Sequence, residues 1–194
     1  MGRRPAKTEP VAAFFWRRLD HPGHDSCRLW KLEEGWRLSG AAVFAEARRA
    51  CHFHYDVIAD AAFRTRSAAV AGYVGKKAIA VRIRSAGMAR WRVNGVSSAA
   101  LRGCVDVDLG FTPATNLLPL RRLALRVGQH ADAPAAYLEF PRMRFIRLPQ
   151  RYERTGRDEY AYESPAHGYA ETLRVLSSGA VAHYPGVFEL VRPV

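Results

Sequence analysis

The chain has 194 residues, 48% of them hydrophobic and 11% aromatic, which suits a single domain with a buried core. It contains no run of about 18 apolar residues, the length needed for a membrane-spanning helix, and no low-complexity tract typical of disorder. The formal net charge of +12 favours an anionic partner, but the basic residues are scattered along the chain, which argues against nucleic acid and leaves an anionic lipid open.

The N-terminal residues do not form a secretory signal. The apolar stretch at residues 11–16 is too short for the apolar region of such a signal. Cys27, Cys51 and Cys104 are an odd number at wide spacing, which agrees with a reducing compartment. We therefore expect a cytoplasmic protein with one domain over residues 1–194, a flexible N-terminal segment at about residues 1–12, and three buried thiols.

Alternating apolar and polar residues recur along the chain more clearly than any helical period. They predict half-buried strands at residues 52–57, 80–84, 122–127 and 142–145, most with arginines on the outer face. The alanine-rich residues 41–51 have helical propensity, but their alternating neighbours favour a pair of strands.

Turn signals lie between these stretches. Asn94-Gly95 is typical of a tight β-hairpin, because both residues tolerate positive φ angles. Residues 113–119 are predicted to form an ordered loop, since Pro113 and Pro119 cannot donate to a strand ladder. Strands at this spacing predict a mainly β fold with few helices, formed by a rolled antiparallel sheet. A faint similarity between residues 55–65 and 162–172 raises the possibility of an internal duplication.

Two carboxylates are the strongest candidates for chemistry. Asp106 and Asp108 lie two residues apart on a predicted strand and therefore on one face, where they could act as acid and base or hold a cation. The alternative is that they form salt bridges to residues such as Arg121 or Arg122.

Other catalytic signals are weak. His52 and His54 share a strand face and could bind a metal, although surface histidines are the commoner case. Residues 72–77 have the wrong glycine spacing for a phosphate loop, and no nucleophile elbow or dinucleotide fingerprint occurs. We predict no cofactor and no metal, and the sequence argues against an enzyme more than for one.

Aromatic residues next to arginine form a further pattern, as at residues 90–92 and 151–152. Trp91 or Tyr152 beside a guanidinium could stack on a sugar or a base. The alternative is that the rings are core anchors with arginine on the opposite strand face.

One long segment resembles a known family. Residues 103–123, the hallmark segment, read GCVDVDLGFTPATNLLPLRRL and resemble the characteristic segment of the bacterial "putative glycolipid-binding" family. The resemblance extends over about residues 30–191. Its other parts are Tyr55-Asp56-Val57, Phe63-Arg64-Thr65, Trp91 with Gly95, Phe140-Pro141, Gln150-Arg151-Tyr152, Tyr160-Ala161-Tyr162 and Tyr184-Pro185-Gly186. Phe63 stands where the family is expected to have Trp.

The resemblance implies a spiral, half-barrel-like antiparallel sheet and a lipid or glycolipid ligand. It carries over no catalytic residues. The candidate ligand-binding residues are Trp91, Asp106, Asp108, Thr115, Asn116, Arg121, Arg122 and Tyr152. Those of the hallmark segment could equally brace a loop through side-chain to backbone hydrogen bonds.

Three functions are carried forward. The leading hypothesis is a binding protein whose curved sheet shelters an acyl chain, with Arg and Asn contacting a sugar or anionic head group. The second is an enzyme acting on a small or lipid substrate through Asp106 and Asp108. The third is a nucleic-acid-binding or regulatory protein, based on the positive charge. The sequence leaves the ligand and the oligomeric state open.

Overall fold

The computed structural model describes residues 9–191. Within these residues the chain forms seventeen strands, one short α-helix and three 3₁₀ helices. None of the described helices is long and apolar enough to cross a bilayer. The expected flexible segment at residues 1–12 lies mostly outside the described residues, and its last three residues already belong to the first strand.

The strands alternate with short turns over most of the chain. Their bounds are β1 Pro10–Arg18, β2 Gly23–Leu32, β3 Gly35–Glu46, β4 Arg49–Asp60, β5 Thr65–Val74, β6 Lys77–Ser85, β7 Trp91–Val93, β8 Val96–Ser98, β9 Asp106–Asp108, β10 His130–Asp132, β11 Ala135–Glu139, β12 Arg144–Leu148, β13 Arg151–Arg154, β14 Glu159–Ser164, β15 Tyr169–Val175, β16 Val181–Tyr184 and β17 Phe188–Leu190. The helix α1 is Leu117–Leu123, and the 3₁₀ helices are Ala99–Leu101, Ala114–Asn116 and Pro165–His167.

Fourteen strands form one large antiparallel sheet in the order β10-β13-β14-β15-β16-β17-β1-β2-β3-β4-β5-β6-β7-β8. Strand β17 pairs with β1, so the first and last described strands are neighbours in the middle of the sheet. The prediction of a mainly β fold with a large, curved antiparallel sheet and few helices is confirmed. Side chains alternate between a buried inner face and an exposed outer face, as in β6, where Val81 and Ile83 are buried and Arg82 and Arg84 are exposed.

A second layer covers the inner face of this sheet. It contains a three-stranded sheet in the order β12-β11-β9, in which β9 is parallel to β11. It also contains α1, which lies between β9 and β11 in the sequence. Phe111 of the hallmark segment packs on Phe53 of β4 with ring centroids 4.7 Å apart, and Leu117 and Leu118 of α1 are also buried. The hallmark segment therefore contributes side chains to the main hydrophobic core.

Several local predictions are confirmed. Residues 41–51 form the end of β3, a tight turn and the start of β4. Strands cover residues 52–57 and 80–84. Asn94 and Gly95 connect β7 to β8 with φ angles of 48° and 87°, as a tight hairpin requires. Cys27, Cys51 and Cys104 are free and buried.

Three local predictions need correction. Residues 113–119 are not a loop but contain a 3₁₀ helix and the start of α1, which accepts Pro119 because the first helical turn needs no donor at that position. Residues 122–127 are not a strand: α1 ends at Leu123 and Ala124 adopts a left-handed conformation. The strand expected at residues 142–145 begins at Arg144, since the preceding residues form a turn.

Candidate functional site

A cavity of about 220 Å³ lies between the hallmark segment and the C-terminal half of the large sheet. We call it the tyrosine pocket, because four tyrosines from four different strands line it, namely Tyr137, Tyr162, Tyr169 and Tyr184. Its polar lining residues are Asp108, Thr112 and Asn116 of the hallmark segment together with Ser164 and His167.

Asp108 at the end of β9 provides the carboxylate of the tyrosine pocket. Gln150 Nε2 donates to Asp108 Oδ2 at 2.5 Å and also lies 3.0 Å from Tyr162 Oη. Burial raises the pKa of Asp108 to about 6, although the hydrogen bond from Gln150 acts in the opposite direction. Its carboxyl oxygens can accept hydrogen bonds from a ligand.

Asn116 forms a second fixed polar group of the pocket. Its Nδ2 donates to Tyr152 Oη at 2.9 Å, and Tyr152 is fully buried behind it. The neighbouring Thr115 accepts a hydrogen bond from the Leu109 backbone N–H at 3.2 Å through Oγ1. These contacts hold the segment that follows β9 in one conformation. Because Asn116 binds Tyr152 through its Nδ2, its amide oxygen can accept a hydrogen bond from a ligand.

The tyrosine rings form the aromatic wall of the pocket. Tyr169 and Tyr184 are stacked with centroids 5.1 Å apart and an interplanar angle of 22°, and Tyr162 lies 5.8 Å from Tyr184. Burial raises the pKa of Tyr162 and Tyr184 above the usual value, so both hydroxyls stay protonated. Tyr137 lies over Gly110, where any larger residue would collide with the phenol ring.

A buried polar cluster of Asp25, Tyr55 and Thr112 adjoins the pocket. Tyr55 Oη donates to Asp25 Oδ2 at 2.9 Å, and Thr112 Oγ1 donates to the same oxygen. Thr112 also lines the tyrosine pocket and accepts from the Ala114 backbone N–H at 3.0 Å. Burial raises the pKa of Asp25 to about 7, since the two hydroxyl donors only partly replace water.

Asp106 and Asp108 share β9 but have different surroundings. Arg122 Nη2 lies 2.6 Å from Asp106 Oδ2, and Arg122 Nε lies 3.1 Å from the same oxygen. Asp106 thus forms the ion pair that was the alternative to catalysis, and it is buried away from the tyrosine pocket. Asp108 alone faces the cavity.

The other predicted site residues lie elsewhere. Trp91 is buried, and its Nε1 donates to the Cys104 carbonyl at 2.9 Å, so it anchors β7 in the core. Arg121 lies over the Phe63 ring at 5.2 Å. Of the eight candidates, Asp108 and Asn116 line the pocket. Tyr152 and Thr115 lie behind the lining, where they hydrogen-bond to Asn116 and to the Leu109 backbone. Trp91, Asp106, Arg121 and Arg122 are not among the lining residues.

His52 and His54, the candidate metal ligands, lie on the outer face of β4. Their rings make an edge contact at 4.5 Å, and Tyr73 is the aromatic neighbour of His52 at 5.5 Å. Among residues 9–191, no group of three or more His, Cys, Asp or Glu side chains is arranged to hold a metal ion.

Sequence reasoning missed Gln150 and the four pocket tyrosines. A signal existed for part of the set, because Gln150, Tyr162 and Tyr184 lie in the short segments that resemble the family. Tyr160 and Tyr162 also alternate along β14, which places both on the inner face. Nothing in the spacing of Tyr137 and Tyr169 indicates that they meet.

The fold and the pocket define a class of protein with a large antiparallel sheet, an inner face covered by a second layer, and a polar and aromatic cavity. A family model described as "Putative glycolipid-binding" matches residues 13–190, and the chain belongs to this family. A crystal structure of a DUF1089 family protein from Pseudomonas aeruginosa is similar, with a TM-score of 0.76, 24% sequence identity and 97% of each chain covered, and so has the same fold. No curated protein matches the chain significantly.

Proposed function

We propose that the protein binds a glycolipid and that the tyrosine pocket takes the sugar head group. The observation that carries this proposal is the composition of the cavity: one carboxylate, one amide, one imidazole, two aliphatic hydroxyls and four phenol groups line a space of about 220 Å³. A sugar ring presents hydroxyls that a carboxylate and an amide can bind, and it has apolar faces that can lie against aromatic rings. Membership of the glycolipid-binding family supports the same ligand class.

The size of the cavity favours the head group over the acyl chain. Pockets for drug-sized ligands usually measure about 300–1,000 Å³, so 220 Å³ suits a single ring better than a long chain. The inner face of the sheet, which the sequence suggested as an acyl shelter, packs against Phe111, Leu117 and Leu118. In this proposal the acyl chain therefore stays outside the tyrosine pocket.

Asp108 and Asn116 are the proposed hydrogen-bonding residues, and the stacked Tyr169 and Tyr184 are the proposed aromatic contact. Asp108 is held by Gln150, so its carboxylate is already oriented before a ligand arrives. Such pre-orientation reduces the entropy lost on binding.

A series of alkyl glycosides tests this proposal. Isothermal titration calorimetry would compare methyl, hexyl and octyl glycosides of several hexoses. Head-group binding predicts that affinity depends on the sugar and hardly on the chain, whereas burial of the chain would raise affinity about fourfold per CH₂ group. Affinity that rises steeply with chain length and ignores the sugar would contradict the proposal.

The pocket variant is Asp108→Asn, which keeps the shape and removes the charge. We expect it to weaken binding of the preferred glycoside about tenfold or more, as is typical for a hydrogen bond to a charged group. Asp132→Asn is the matched control, because Asp132 lies exposed on β10. If both variants bind the glycoside like the wild type, the tyrosine pocket is not the sugar site.

An enzyme acting through Asp106 and Asp108 is the alternative. It finds less support, because the Arg122 guanidinium neutralises Asp106 and only Asp108 faces the cavity. Release of free sugar from a nitrophenyl glycoside by the wild type, but not by Asp108→Asn, would favour the enzyme over the binding protein.

A further inference from the structure

Five exposed arginines gather at the β8 edge of the large sheet. This arginine patch consists of Arg82, Arg84, Arg90, Arg92 and Arg102. Arg82 and Arg84 lie on the outer face of β6, and Arg92 of β7 is directly opposite Arg84 in the antiparallel ladder. An open cavity of about 510 Å³ lies beside Arg90, Arg92 and Arg102.

The charges of the arginine patch are not neutralised within the described part of the chain. Elsewhere on the same face, Arg37 pairs with Asp56 of β4, and Arg66 Nη2 lies 3.2 Å from Asp60. None of the five patch arginines forms an ion pair with a carboxylate of residues 9–191. Like charges directly opposite in a ladder are destabilising. An anionic partner would therefore reduce the repulsion between Arg84 and Arg92.

One exposed apolar side chain lies in the loop that joins the two patch strands. Met88, in the loop between β6 and β7, is 83% exposed. Arginines combined with exposed aliphatic side chains are typical of surfaces that bind at the boundary between lipid head groups and acyl chains. The hydrogen bond from Trp91 Nε1 to the Cys104 carbonyl fixes β7, the strand that follows the loop containing Met88.

We propose that the arginine patch docks on the surface of an anionic lipid bilayer, with Met88 entering the head-group region. Single-stranded nucleic acid fits this surface less well, because its binding sites combine basic residues with exposed aromatic rings for stacking. Trp91, the aromatic residue within the patch, is only 2% exposed. The docking does not depend on what the tyrosine pocket binds.

Vesicle co-sedimentation tests the arginine patch. The full chain is mixed with phosphatidylserine–phosphatidylcholine vesicles and with pure phosphatidylcholine vesicles. We expect binding only to the anionic vesicles, and weaker binding at high salt. Replacing Arg84 and Arg92 by Ala should lower the affinity about 30-fold, at about fivefold per arginine. The control replaces Arg142 and Arg144, which removes the same charge but from residues paired with Glu139, and should bind nearly like the wild type.

The apolar contribution is tested separately. Met88→Ser should weaken binding to the same vesicles at high salt, whereas Val127→Ser, at a residue 60% exposed, should not. Equal losses in the two arginine pairs would show that net charge alone matters and would overturn the proposal. Binding of duplex DNA or RNA through the patch, without vesicle binding, would overturn it in favour of nucleic acid.

Discussion

Replacing Asp25 by Asn should make the stability of the protein less sensitive to a rise in pH from about 4 to about 8. Asp25 is buried beneath the tyrosine pocket, and burial raises its pKa from 3.8 to about 7. The folded protein therefore holds this proton more tightly than the unfolded chain does. The stabilising contribution is fully present below about pH 4 and is lost as the pH rises through about 7. A difference of about 3 pKa units, at about 1.4 kcal/mol each, corresponds to about 4 kcal/mol.

The measurement is the free energy of unfolding from urea titrations between about pH 4 and about pH 8. Relative to the wild type, Asp25→Asn should gain about 4 kcal/mol across this range, because the amide cannot ionise. Asp108, whose pKa burial raises to about 6, contributes equally to both proteins and cancels in the difference.

Asp132→Asn, at an exposed carboxyl group, is the control and should follow the wild-type profile. The reasoning is refuted if the profile of Asp25→Asn also runs parallel to that of the wild type. Asp25 would then be ionised in the core throughout this range, and the hydrogen bonds from Tyr55 and Thr112 would fully offset its burial.

Two further predictions concern stability, measured by urea unfolding at neutral pH. Trp91→Phe leaves the Cys104 carbonyl without its donor and should cost about 1–3 kcal/mol. Trp36→Phe should lose no hydrogen bond, since the Trp36 Nε1 has no partner among residues 9–191; similar losses in both variants would mean that ring packing dominates. Asp106→Asn leaves the Arg122 guanidinium without its anion and should cost about 3–5 kcal/mol. Adding Arg122→Met should recover part of that loss, and no recovery would contradict a role for the ion pair.

The long strands could be predicted because each one buries a single face. Residues 52–57 and 80–84 alternate without interruption, and the structure has strands there. Residues 122–127 alternate as well, yet they lie at the end of α1 and in the turn after it. A helix of seven residues is too short to be stable alone, so packing of Leu117 and Leu118 in the core decides its structure. That packing is invisible in the local sequence.

The candidate site could be predicted from the sequence only for residues that lie close together along the chain. Asp108 and Asn116 belong to the hallmark segment, and their proximity follows from a short connection. Tyr137 belongs to the small inner sheet, whereas Tyr169 and Tyr184 belong to the large sheet. These tyrosines meet because one sheet packs on the other, which single-sequence spacing does not encode. The aromatic wall of the pocket therefore required the structure.

The pairing of β1 with β17 has a consequence for folding on the ribosome. β1 leaves the exit tunnel before the other described strands, but β17, which covers its free side, follows only after more than a hundred further residues. Until then the backbone donors and acceptors of residues 16–18 remain an open template for another chain. A ribosome stalled before β17 would thus carry an aggregation-prone nascent chain. The pairing of β17 with β1 would be a late step in folding.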